Sequence, residues 1–473
     1  MIGIILTLAL ILRLINLNQS LWWDEAINVV YAKSSSFWHF VTAYPIGDFH
    51  PPGYFAILWL WGNTFGFSEI SIRLPSVIFA VLTVFLTFLI GKELFSKKTG
   101  LLAALFLCFA PLHIYYSQEA RMYSLAAFTV TLSSYFFLRL VSGLKYGFWG
   151  YSFSIFLLLY SDYLPYLVLP AHIFFVIIYY RKLLKKYTAS LIIGGSTVIP
   201  WFLIFPDQFK KGIETSAIVS GWREVVGGAG YKEAILLPLK ILTGRITFEN
   251  KLLYILLIII VSIPYVFAFK KLINHFSRGV NFLLLWTLIP IVSAFTLSFF
   301  IPIFNYFRFL FILPAIYLLT AAGLNKYKSY LRLSAVVLIV VFEILASGLY
   351  LINPKFHRED WKSAVKFIEQ NSDSRTLTLH KNSEIPASFT YYQSESINSL
   401  VAFNKIPAHS DKDLIDLDKN LVSFERIFVF NYLVDITDPN RLLEAELEKL
   451  KFEKIKDYDF RGVGLISLYQ RSH

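Results

Sequence analysis

The chain has 473 residues, 56% of them hydrophobic and only 16% charged, where a soluble domain averages roughly 25% charged. That composition excludes an ordinary soluble protein and specifies an integral membrane protein, whose 18% aromatic share suits lipid-facing helices and interfacial belts. The net charge of +12 is uneven: residues 353–473 hold 17 Lys+Arg against 19 Asp+Glu, leaving 27 against 13 in residues 1–352. The basic excess therefore belongs to the membrane part and reflects topology, not a nucleic-acid partner.

Taken in chain order, about eleven hydrophobic runs are candidates to cross a bilayer, which takes about twenty residues each. They are roughly 1–17, 72–95, 99–116, 121–141, 147–161, 163–180, 188–206, 252–269, 280–302, 308–324 and 331–352. The first lacks the basic region of a cleaved signal and reads as a retained helix. The pair meeting at Ser161-Asp162-Tyr163 reads equally as one broken helix, and 233–247 is a further ambiguous apolar stretch.

With the N-terminus in the cytoplasm, Lys97-Lys98, Lys145, Arg181 to Lys186, Lys270-Lys271 with Arg278, and Lys326 to Arg332 all fall inside, as the positive-inside rule requires. The other side receives Asp24, Glu25, Glu119, Asp162, the 207–232 loop with its basic residues Lys210, Lys211, Arg223 and Lys232, and the C-terminal region. In the first outer loop, 24–40 and Tyr54 to Trp61 are too short to span and predict helices lying along the interface.

After Asn353-Pro354 the composition changes abruptly. Residues 358–369 predict an amphipathic helix, 376–379 and 427–430 strands, 439–450 a helix, and 458–469 one or two final strands. The expected architecture is a polytopic α-helical membrane domain, 1–352, followed by an extracytoplasmic mixed α/β domain, 353–473.

The chemistry concentrates in the outer segments. Asp24 and Glu25 follow Trp22 and Trp23, and adjacent carboxylates beside a membrane demand water or partners. They read either as first-turn acids of an interfacial helix or as a base able to take a proton from an acceptor hydroxyl. His50 in His50-Pro51-Pro52-Gly53 reads as a solvated interfacial histidine, or as a contact to substrate or to a divalent metal. Tyr115 to Tyr123 forms an outer turn in which Arg121 suits phosphate recognition, or pairs with Glu119 or snorkels at the interface. Arg73 and Arg308 begin helices on the same side and could ring a phosphate or snorkel. Tyr116, Gln118, Glu119 and Asp162 complete the candidate substrate contacts. No Walker loop, dinucleotide fingerprint, zinc-ligand array or nucleophile elbow occurs.

In order and spacing, Trp23-Asp24-Glu25, His50-Pro51-Pro52, Arg73-Leu74-Pro75-Ser76 and Ser117-Gln118-Glu119-Ala120-Arg121 resemble the glycosyltransferase C superfamily. The branch they resemble is the family 39/83 type of protein O-mannosyltransferases and aminoarabinose transferases. The resemblance implies an inverting transferase taking a sugar from a polyprenyl-phosphate donor to a protein, lipid or glycan acceptor, outside the plasma membrane of a prokaryote. It maps the catalytic acid onto Asp24 and the donor-phosphate arginine onto Arg121. A second acid that some members carry after that arginine has no counterpart in Met122-Tyr123-Ser124. A single-phosphate leaving group does not by its chemistry require a metal cofactor. A transporter or flippase of lipid-linked sugars is the alternative reading, and a mere anchor for the C-terminal domain leaves the outer acids and arginines without a role.

Overall fold

The computed structural model describes all residues except 219–226, 229, 274–275 and 473, and the side chains of 216–218 as well. Arg223 thus lies outside the described residues. The chain divides into two compact units, one built mainly on residues 36–214 with the first helix and most of 221–356, the other on Asn18–Ser35 with the C-terminal segment from His357.

The described elements of the first unit are all helices. Each of the eleven apolar runs falls on helical residues, but only six described helices are both long and apolar enough to cross a membrane: Glu69–Leu94, Tyr123–Val141, Lys251–Ile273, Arg278–Leu297, Tyr306–Leu324 and Ser329–Ile352. A seventh arises if Lys97–Phe109 and Pro111–Ser117, bent by 61°, make one span. The break falls at Pro111, which has no N–H to continue the ladder. Ile2–Leu14 is shorter than the run 1–17 suggested, while Gly147–Ser161 matches its run. At 1.5 Å per residue, thirteen residues reach only about 20 Å of a roughly 30 Å hydrocarbon core. The run 188–206 falls on two helices, Leu184–Ser196 and Ile199–Phe202, the ambiguous 233–247 overlaps the helix Tyr231–Thr243, and the expected 207–232 loop overlaps the helix Phe205–Ile218.

Lys251–Ile273 exposes Leu252, Ile255, Ile259, Ile263 and Val266, whereas Tyr306–Leu324 is mostly buried. Apolar surface of the first kind is stable against lipid, not water, so this is an integral membrane protein with a central and a peripheral layer of helices. Between the first two apolar runs the first unit forms Phe37–Thr42, Tyr44–Asp48 and Gly53–Phe65. Pro51 and Pro52 lead into the last of these, and Gly53 lets it close on the helix Gly147–Ser161, because a Cβ there would meet the Tyr160 carbonyl oxygen at 2.4 Å. Gly53→Ala is expected to cost about 1–3 kcal/mol by overpacking against rigid backbone. The check is a lowered melting temperature of the purified protein, with Gly47→Ala, where a Cβ meets nothing, as the control.

In the second unit a five-stranded sheet has the order β2-β1-β3-β5-β4: β1 (Thr376–His380), β2 (Asn398–Val401), β3 (Arg426–Phe430), β4 (Phe452–Phe460) and β5 (Gly464–Arg471). β1 runs parallel to β2 and β3, and β5 is antiparallel to β3 and β4. Alternation along β3 builds two cores. Ile427 and Val429 pack with Leu377, Leu379, Leu443 and Leu447, while Phe428 and Phe430 pack with Trp361, Val365, Ile368 and Phe389. The helix Trp361–Asn371 buries Trp361, Ala364, Val365 and Ile368, one stripe at helical spacing, and Asp360 caps it by accepting from the Ser363 N–H at 3.2 Å. The sequence reading missed β2 and the helix Ala387–Tyr392, of four and six residues, too short to show a period.

Candidate active site

In the first unit, the helix Tyr44–Asp48 ends with Phe49 at φ +66°, a left-handed conformation that bulky residues avoid. That turn brings the side chains of Asp48 and His50 together. Asp48 Oδ1 lies 2.6 Å from His50 Nδ1, and Asp48 Oδ2 accepts from Arg121 Nη1 at 3.0 Å. Burial pushes the Asp48 carboxyl up, but the Arg121 guanidinium and then His50 outweigh it, and the net position is below the ordinary carboxylate value.

Gln208 closes this network from the helix Phe205–Ile218, its amide donating to Pro45 O at 2.6 Å and His50 O at 3.1 Å. Tyr163 donates to the Gln208 carbonyl and accepts from Trp201 Nε1 at 2.9 Å, and the Tyr163 N–H donates to Asp162 Oδ1 at 2.7 Å. Three residues picked from sequence, His50, Arg121 and Asp162, are therefore joined through three that were not: Asp48, Gln208 and Tyr163. Asp48 stands two residues before His50, a spacing that could have flagged it. Gln208 carried no signal.

A second cluster gathers aromatic rings and guanidinium groups. Tyr116, buried, packs against Tyr123 at 5.1 Å and Phe307 at 6.0 Å between ring centroids, and the Arg308 guanidinium lies 5.9 Å from the Phe307 ring. Arg245, exposed after the helix Tyr231–Thr243, lies 5.0 Å over the Tyr115 ring. It sits within electrostatic reach of Tyr116, Tyr306 and Glu119. Arg245 went unnoticed in the sequence because it lies inside the ambiguous apolar stretch 233–247. The other candidates of this unit are held in the scaffold. Gln118 donates to Arg13 O and Ile15 O at 3.1 and 2.7 Å and accepts from Tyr350 at 2.8 Å. Arg73 is buried and donates to Leu17 O at 2.8 Å.

In the second unit, Asp24 and Glu25 occupy the first turn of the helix Trp23–Ser34. Glu25 is fully buried and Asp24 only partly, so Asp24 is the member of the pair that solvent reaches. Glu359 lies beside them. Its carboxylate accepts from the Trp23 N–H at 3.2 Å, Trp361 Nε1 at 2.7 Å and Tyr432 Oη at 3.0 Å, with Asp24 in electrostatic range. Among the described residues no group of three or more His, Cys, Asp or Glu side chains could hold a metal ion.

The helical membrane unit and the small mixed sheet share their fold with several solved structures. ArnT from Cupriavidus metallidurans bound to undecaprenyl phosphate matches with a TM-score of 0.62 at 13% identity, covering 99% of this chain and 97% of that one. The apo oligosaccharyltransferase of Archaeoglobus fulgidus gives 0.54 at 11% identity over 100% and 74% of the two chains, and the mycobacterial arabinofuranosyltransferase AftD 0.52 at 11% over 100% and 40%. Residues 49–204, which carry His50, Arg73, Arg121 and Asp162, match the family model described as dolichyl-phosphate-mannose-protein mannosyltransferase. Over 190 residues the chain is 27% identical to the Bacillus subtilis (strain 168) protein named "Putative mannosyltransferase YycA", a match spanning 37% of this chain and 27% of that relative's length.

Proposed function

We propose that this protein is an inverting glycosyltransferase that moves a sugar from a polyprenyl-phosphate carrier to an acceptor hydroxyl of a protein, lipid or glycan at the outer face of a prokaryotic plasma membrane. The carrying observation is the run of rings Tyr115, Tyr116 and Phe307, with the Arg245 guanidinium over the first and that of Arg308 beside the last. A sugar phosphate on a lipid has a matching make-up: a ring to stack and an anion to hold. The undecaprenyl phosphate bound by ArnT and the family description of residues 49–204 support such a donor, and the distribution of Lys and Arg supports a cytoplasmic N-terminus.

In the reaction, the acceptor oxygen attacks the anomeric carbon as the bond from that carbon to the phosphate oxygen breaks, with inversion. The bonding pair leaves with the phosphate, and Asp24 takes the hydroxyl proton. The leaving phosphate gains a negative charge, and fixed guanidinium groups lower the barrier by meeting charge where it develops. Arg245 and Arg308, with Arg121 behind its Asp48 partner, are assigned that work, and Tyr116 and Glu119 the sugar and its surroundings. A single phosphate leaves without an obligatory metal.

The test incubates purified full-length protein in vesicles with radiolabelled mannosyl undecaprenyl phosphate and membrane acceptors. Label appearing in a new glycosidic linkage supports the proposal. Label that only changes leaflet, with the donor intact, overturns it in favour of a flippase.

A further inference from the structure

We propose that Glu359 is a positioning residue whose carboxylate seats the N-terminus of the helix Trp23–Ser34 and thereby sets where Asp24 stands. The inference rests on the reading of Asp24 as the base. Trp23 is the first residue of that helix, so its N–H is one of the donors the helix cannot satisfy internally. No side chain of its own N-cap residue, Trp22, meets the need. Glu359, 336 positions along the chain, supplies the acceptor instead, and its charge faces the positive end of the helix dipole.

The seat is itself braced. Trp361 Nε1 and Tyr432 Oη hold the two carboxylate oxygens of Glu359. The Tyr432 ring then stacks on Trp23 at 5.5 Å and meets Trp361 edge-on at 5.0 Å. Two further ties fix the approach to the helix: the Leu21 N–H donates to Tyr392 Oη at 2.8 Å, and Ser20 Oγ accepts from the Lys362 N–H at 3.1 Å. Room for Glu359 comes from Gly462, at φ +73°, where a Cβ would lie 2.9 Å from Glu359 Cγ and 3.0 Å from its Cα.

The geometry also separates a seat from a catalytic charge. Both N–H donors converge on Oε2, and the partner of Oε1 is a hydroxyl that can accept as well as donate. Glu359→Gln can therefore keep every contact without the charge, while Glu359→Ala loses them all.

The experiment measures hydrogen exchange and transfer on the full-length protein, with mannosyl undecaprenyl phosphate as the donor probe. For Glu359→Ala we expect amides 23–28 to exchange at least about tenfold faster, with β1 and β3 unchanged. We expect kcat to fall about 10–100-fold while the donor KM stays within about threefold, the signature of a misplaced group rather than a lost binding contact. Glu359→Gln should stay near wild type on both measures. Unchanged exchange over 23–28 in Glu359→Ala, faster exchange throughout the sheet, or a Glu359→Gln as impaired as the alanine would each overturn the proposal. If wild type transfers nothing, the functional reading fails, and the exchange arm still decides whether Glu359 seats the helix.

Discussion

Asp24→Asn is expected to lower sugar transfer by about 10²–10⁴-fold, the usual contribution of a positioned general base, while expression, membrane insertion and melting temperature stay at wild-type values. The amide keeps the shape of the carboxylate but cannot take the proton of the acceptor hydroxyl. Asp24 is the reachable member of its pair, because Glu25 is fully buried. Glu25→Gln should act mainly on stability, so the two variants separate chemistry from folding. The measurement is initial-rate transfer from a labelled polyprenyl-phosphate sugar, with detergent-solubilised thermal melts alongside. An Asp24→Asn protein that transfers at the normal rate would remove Asp24 from the mechanism.

Asp48→Ala is expected to destabilise the protein by about 3–5 kcal/mol, the cost of leaving one member of a buried ion pair without its partner. The side chains of Arg121 and Asp48 are only 5% and 10% exposed, so water does little to replace the lost carboxylate. Asp48→Asn, which keeps an acceptor for Arg121, should lose less. The pair also predicts an acid limit. Because the folded-state pKa of Asp48 is held below its ordinary 3.8 by Arg121 and His50 against the opposing effect of burial, its stabilisation is complete above that value and is lost as pH falls through the lower folded pKa. Melting temperature followed downward from pH 5 should therefore drop more steeply in wild type than in Asp48→Asn. Equal slopes would show that the ion pair contributes nothing to stability.

Much of this protein is legible in the order of its residues. Hydropathy locates helices in all eleven runs, since apolar side chains that must face lipid or a lipid-like core leave a continuous record. The continuous apolar run 427–430 is legible as a strand covered on both faces, and the helical stripe from Trp361 to Ile368 as one face turned to one core. His50, Arg121 and Asp162 stand out as polar groups beside membrane runs, where such groups are costly.

Length and partnership are not legible in this way. Hydropathy does not mark where a helix stops, so Pro111 bends one run and Ile2–Leu14 ends short of a full crossing. Asp48, Arg245 and Glu359 carry no motif, because each matters through residues distant in sequence: Arg121 for the first, Tyr115 and Tyr116 for the second, Trp23 and Tyr432 for the third. The sequence alone determined that the chain is a membrane protein and singled out an acid and several arginines beside its apolar runs, because those features follow from local composition. Only the tertiary structure decided that Asp48 neutralises Arg121 and that Glu359 holds the helix of Asp24. Hydrogen bonds and ion pairs act over about 3 Å in space, whatever number of residues lies between their ends.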